Sequence, residues 1–286
     1  MSIYNLPARF GFGSSKNFIW LFLAAIVLST NSCAPASKME KSSPPASHSD
    51  IGPVTEAAPK NPDPRVGLKA GLFDAGEAVW NLELLSQTTP PEKFVGAINS
   101  DLAFKDNYVI QGNYNGFIVW DISNPSSPEL VVDFLCPASQ SDVSVYGDLL
   151  FVSGEGFGGR LDCGTEGGDK TVREERLRGI RIFDISDIKN PKYVSNGQTC
   201  RGSHTHSVLD DPRDEENVYV YVSGSAPVRP EEELPGCTSA LPEEDPNSAL
   251  FRIEVIKVPL AHPEQAAIVN SPRIFDDLAA PPTHGL

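Results

Sequence analysis

Short runs of alternating apolar and polar residues recur along this chain. Residues 116–128 read GFIVWDISNPSSP and residues 179–191 read GIRIFDISDIKNP; residues 250–263 repeat the form more loosely as LFRIEVIKVPLAHP. Each copy joins a strand of period two to an acidic or polar break and a proline-closed turn. Further strands align around these three. Residues 100–104, 141–145 and 206–209 supply a first strand, and 108–112, 150–154 and 220–224 a second that ends in glycine. The central strand is third. Residues 129–135, 192–194 and 265–269 supply the fourth.

Four short strands per unit predict an antiparallel meander. Without insertions the unit is about 40 residues, the blade length of a β-propeller. The predicted fold is therefore all-β, a partial β-propeller of four-stranded antiparallel blades. It has about three full blades plus one N-terminal strand, because Val79-Trp80-Asn81-Leu82 resembles Val119-Trp120-Asp121-Ile122 and marks residues 78–85 as a lone third-type strand. A ring needs about four to eight blades. The expectation is a fragment of a closed propeller, with residues 281–286 (PPTHGL) falling inside no element; the alternative is a short protein that closes by assembling several copies.

The ends and the charge change the picture. Arg9 and Lys16 precede the uncharged run FIWLFLAAIVL at residues 18–28, then STNSC ending at Cys33. Eleven apolar residues suit a signal sequence and are short for a membrane span. Residues 1–33 are read as a targeting segment with lipidation at Cys33, and cleavage near Ala34-Pro35-Ala36 stays open as the alternative. Residues 34–66, with seven prolines and His48, read as a disordered tether, which leaves 67–286 as the repeat domain. The whole chain carries −15. Such a surface repels nucleic acid and anionic lipid, so the membrane is approached only through the N-terminal anchor. The predicted location is exported: tethered in the cell envelope, or periplasmic or extracellular.

Units two and three are longer than unit one by 21 and 24 residues, each in the loop between second and third strands. Each insertion holds one cysteine, Cys163 and Cys237, and each preceding fourth-to-first connection holds one more, Cys136 and Cys200. In an up-down meander these two kinds of connection emerge on one face. The predicted disulfides are Cys136–Cys163 and Cys200–Cys237, each stabilising by about 3 kcal/mol in the chain-entropy model. Zinc held by four cysteines is the alternative, without CxxC spacing in its favour.

The first strands begin on that same face. This gathers Asp101, Asp142, His204 and His206 at one mouth of the central channel, with both imidazoles on one side of a strand. Two imidazoles and two carboxylates suit a divalent metal as cofactor. The alternative is structural: aspartates capping inner turns, histidines bonded to carbonyls. The glycine-rich run 154–159 precedes no helix, the acidic runs 210–216, 231–233 and 243–245 lack calcium-loop spacing, and no nucleophile elbow is present. His262 and His284 are read as incidental.

IVWDISNPSSPELV and IRIFDISDIKNPKYV resemble LVIVD repeats, a propeller repeat of exported bacterial proteins. The resemblance spans about residues 96–270 and weakens in unit three, where Lys257-Val258-Pro259 replaces DIS. Members often carry a His-Asp pair at the start of the first strand; here Ser100-Asp101, Ser141-Asp142 and His206-Ser207 each keep half of it. The resemblance implies an exported propeller and no particular reaction. Two functions follow as expectations. The first is a scaffold that binds a protein or small-molecule ligand through the disulfide-braced loop face. The second is a metal-dependent enzyme at the channel mouth, with His204 and His206 holding the metal.

Overall fold

A computed structural model of the protein describes residues 63–71, 75–79, 82–166 and 171–274. The targeting run, Cys33, His48, Trp80, Asn81 and His284 lie outside the described residues. The chain forms two units, Met1–Thr89 and Pro90–Leu286. In the first, the described residues form a turn and extended chain, with Arg65 folded back on Asp63 at 2.6 Å. The lone strand expected at 78–85 is not formed at Val79 or at residues 82–85. A strand needs a neighbour for its N–H and C=O groups, and the described part of this unit offers none.

The second unit is three four-stranded antiparallel sheets. The first holds β1 (Asn99–Lys105), β2 (Tyr108–Asn113), β3 (Gly116–Asp121) and β4 (Glu129–Leu135). The second holds β5 (Val143–Tyr146), β6 (Leu149–Gly154), β7 (Gly179–Asp184) and β8 (Lys192–Gln198). The third holds β9 (Thr205–Leu209), β10 (Asn217–Ser223), β11 (Glu254–Pro259) and β12 (Ala267–Asn270). The leading strands touch in succession, β1 against β5 and β5 against β9, as inner strands do around a propeller axis. The all-β partial propeller is therefore observed, as three open blades.

Alternation explains why the blades stack. Phe117 and Val119 of β3 face the second sheet, where they meet Leu150, Val152 and Phe183. Ile118 and Trp120 face the other way, under Phe94. The middle sheet is apolar on both sides: Leu150 and Val152 face the first blade, while Phe151, Ile180 and Ile182 face Val218, Val220 and Val222 of the third. Phe117 stacks on Phe134 at 5.0 Å, and Phe183 meets both edge-on. Each such buried ring stabilises the stack by about 1.5–3 kcal/mol.

The recurrent DIS is an Asx turn. Asp121 Oδ1 accepts the Ser123 N–H at 2.8 Å, and Asp184 Oδ1 accepts that of Ser186 at 2.8 Å. Unit three lacks the aspartate; its strand persists through Pro259, and a 3-10 turn at Pro263–Gln265 replaces the motif. Each pairing of third and fourth strand carries a register shift, at Val119/Trp120, Ile182/Phe183 and Val255/Ile256.

One register differs from the sequence alignment. SDLAF and SDVSV align Leu102 with Val143, yet the ladders pair Ala103 with Ile110 and Val143 with Val152. Ala103 is thus the counterpart of Val143, and a shift between Asn99 and Leu102 absorbs the extra residue. By the same rule His206, opposite Val222, occupies the position of Val143.

Candidate functional site at the loop face

Both disulfides form as expected, Cys136–Cys163 and Cys200–Cys237, with Cα–Cα distances of 4.3 and 5.3 Å. They pin the insertions 155–178 and 225–253 to the connections before β5 and β9. The insertions are also tied to each other through Glu233, whose side chain is fully buried. Its carboxylate pairs with Arg229 at 2.7 Å and with Arg176, and accepts the Arg173 N–H at 3.1 Å. Arg229 also donates to Gln198 Oε1 at 2.7 Å and to the Arg176 carbonyl at 3.2 Å. Arg178 donates to the carbonyls of Glu155 at 3.1 Å and Pro227 at 2.9 Å. Burial, reinforced by the neighbouring Arg229 charge, pulls its pKa down to about 10.

The charges of these loops are sorted by depth. Every described arginine of the two insertions is buried or half-buried, whereas Glu166, Glu174, Glu231, Glu232, Glu243 and Glu244 are exposed. Among them stand three large apolar side chains, Phe157, Leu241 and Phe251, each more than half exposed. Phe157 lies over the Arg176 and Arg178 guanidiniums at 5.5 and 5.0 Å.

The four residues expected at the channel mouth divide into two places. Asp101, Asp142 and His206 come together. Asp142 Oδ2 lies 3.0 Å from His206 Nδ1, and Ser153 Oγ lies 2.9 Å from the same nitrogen. A serine–histidine–aspartate relay needs hydroxyl and carboxylate on opposite ring nitrogens, so this trio is not one. Ser203 continues the string at 2.8 Å from Ser153. The His206 side chain is fully buried and its Nε2 has no partner.

His204 lies elsewhere, because β9 starts only at Thr205 and the strand parity assumed for the two rings does not extend to it. Gly202, at φ +68°, turns the chain there, and the Ser203 N–H bonds the Gly154 carbonyl at 3.0 Å. His204 Nδ1 meets Glu155 Oε2 at 2.9 Å, and Ser225 donates to the other oxygen of Glu155. Among the described residues, no group of three or more His, Cys, Asp or Glu is arranged to hold a metal ion.

The aspartates reach one blade onward. Asp101 Oδ2 accepts the Val143 N–H at 3.2 Å and Asp142 Oδ2 the His206 N–H at 3.0 Å. Burial raises the Asp101 pKa, and the adjoining Asp142 adds to the rise. Burial also opposes ionisation of Asp142, but hydrogen bonds from the ring and main chain of His206 outweigh it and hold that carboxyl low.

Residues 98–135, the whole first blade, match the family described as LVIVD repeat. The chain carries an LVIVD repeat. The matched blade is the one whose DIS turn and third-strand glycine recur in the second. Among solved structures, hydrazine synthase of Kuenenia stuttgartiensis is similar at TM-score 0.34 and 11% identity, over 62% of this chain and 37% of that one, so this chain spans little more than a third of that chain's length. No curated protein matches the chain.

Sequence reasoning missed Glu155, Ser153, Ser225 and the arginines. The run REERLR at residues 173–178 lies inside a loop already marked by a cysteine, but its mixed charges read as a solvated loop. The serines carried no signal.

Proposed function

We propose that this LVIVD-repeat chain is an exported binding scaffold whose loop face, built from the insertions 155–178 and 225–253, engages a cationic partner. The observation that carries the reading is Glu233. One buried carboxylate joined to Arg176 and Arg229 welds two long loops into a single platform. Loops of this length are ordinarily mobile, and fixing them costs chain entropy. A fixed platform with carboxylates and aromatic rings outside and arginines inside suits a partner that brings positive charge and apolar anchors. Two disulfides fit an oxidising, exported setting, and no helix among the described residues is long and apolar enough to cross a membrane. Lipidation at Cys33 would hold the platform at a membrane surface.

The test is site-specific photocrosslinking in the cells that make the protein. Crosslinkers at Phe157 and Leu241 should give one salt-sensitive adduct, and a crosslinker at Lys189, in the turn between β7 and β8, should not. Equal labelling from all three positions would sink the reading.

A second reading rests on His204. Glu155 orients its half-exposed imidazole, the arrangement of a general base. It predicts turnover that is lost in His204→Ala with the fold intact; unchanged turnover in that variant excludes it.

A further inference from the structure

We propose that the Cys200–Cys237 bridge is a thiol-exchange site: a small external thiol takes the Cys237 sulfur, and Cys200 leaves as a thiolate held by Arg252. The surroundings of this disulfide are not symmetrical. Arg252 Nη2 donates to Cys200 Sγ at 2.8 Å. The same nitrogen donates to Glu254 Oε1 at 3.0 Å, and Nη1 donates to the Asn247 carbonyl at 2.9 Å. These bonds fix the guanidinium against one sulfur of the pair. Its Nε–H is buried without a partner, which leaves the group a donor in reserve.

Exchange at a disulfide depends on the sulfur that leaves as well as on the one attacked. A cation in contact with a sulfur stabilises the negative charge that arrives there when the S–S bond breaks. The Glu254 carboxylate faces the same place, but its charge is met by Arg252 and by the Cys200 main-chain N–H at 3.1 Å. Charge developing on Cys200 therefore meets donors first.

The route from solvent points to the other sulfur. Both cysteines are buried, at 3% and 4% exposure. Cys237 follows Pro235 and Gly236, which are exposed, and a β-carbon on Gly236 would meet nothing within 4 Å. Cys200 follows the buried Thr199 and precedes the half-buried Arg201 and buried Gly202. A thiol arriving from outside reaches Cys237 first.

The step balances without a further oxidant or reductant. The thiol gives its proton to solvent and its sulfur attacks Cys237 Sγ. The Cys200–Cys237 bond breaks as the new S–S bond forms, and the electron pair of the broken bond passes to Cys200 Sγ. The product is a mixed disulfide on the insertion 225–253. The Glu233 clasp on Arg176 is untouched, so the adduct forms on a folded platform.

The probe is glutathione, given as a short pulse to the oxidised full chain, with iodoacetamide as the trap and peptide mass spectrometry as the readout. Glutathione on Cys237 with alkylated Cys200 should exceed the reverse arrangement about tenfold, the worth of one hydrogen bond to a charged sulfur. In urea, where Arg252 no longer meets Cys200, the two arrangements should approach equality. Arg252→Met should lose the preference in the folded chain, and Arg252→Lys should restore most of it. If Arg252→Met fails to fold, the natural chain compared with and without urea decides alone. Adducts chiefly on Cys200, or none on either cysteine, overturn the proposal. So does a preference that persists in urea or in a folded Arg252→Met chain.

Discussion

Asp142 clasps His206 twice, its Oδ2 accepting the main-chain N–H at 3.0 Å while lying 3.0 Å from the ring Nδ1. The pair joins the inner strands of the second and third blades, and the lowered Asp142 pKa makes the joint sensitive to acid. A depressed carboxyl contributes stability that is present above its unfolded value, about 3.9, and lost as pH falls through the folded one. Asp101 is raised, so its contribution has the opposite sign: present below about 3.9 and lost as pH rises through the folded value. Asp142→Asn should therefore cost about 1–3 kcal/mol at pH 7 and progressively less below pH 4. Asp101→Asn, relative to the natural chain, should gain stability as pH climbs through the elevated Asp101 titration. Urea unfolding from about pH 3.5 to 8 checks both; three parallel pH profiles would refute the assignment.

Glu233→Gln should loosen both insertions together. It leaves Arg176 and Arg229 facing an uncharged amide inside the protein, and breaking a buried pair costs about 3–5 kcal/mol. Hydrogen exchange should rise in residues 155–178 as well as 225–253. A rise confined to the second insertion would show that the loops are not one platform.

The two disulfides should be separable in effect. A non-reducing digest should yield two crosslinked peptide pairs, Cys136 with Cys163 and Cys200 with Cys237. Replacing Cys200 and Cys237 together by serine should cost about 3 kcal/mol and open residues 225–253 to limited proteolysis, with the first insertion protected.

Gly112→Ala should destabilise by about 1–3 kcal/mol through crowding alone. A β-carbon there would lie 1.9 Å from the Ser141 carbonyl oxygen and 2.6 Å from Ser100 Oγ. Ser141 is the last of three consecutive residues at positive φ, Ser139 to Ser141, so that backbone has little freedom to retreat. A melting temperature within a degree of the natural chain would count against this packing.

The strands were legible because the central strands β3, β6 and β7 are buried along almost their whole length, and that burial is written as short apolar runs closed by glycine or aspartate. The disulfides were legible because an up-down meander sends alternate connections to one face. The channel mouth was legible only in part: Asp101, Asp142 and His206 meet there, and His204 does not. A shift of one residue at β1 displaced the alignment of Asp101, and a strand beginning at Thr205 instead of His204 separated the two imidazoles. Both depend on local hydrogen bonds, at Asn99 and at Gly202, that leave no periodic trace. The buried arginines were hidden for another reason: REERLR reads as a solvated loop until the distant Glu233 is brought to it.

The shift between third and fourth strands recurs in all three blades. Such a bulge bends and twists the outermost strand, and a bent rim is a poor template for another chain to pair with. Because the bulge lies within the repeat, duplication of a blade copies its protection along with its core. An array of this kind lengthens or shortens without exposing a flat rim at any blade number, which lowers the aggregation risk of every partly made chain during synthesis.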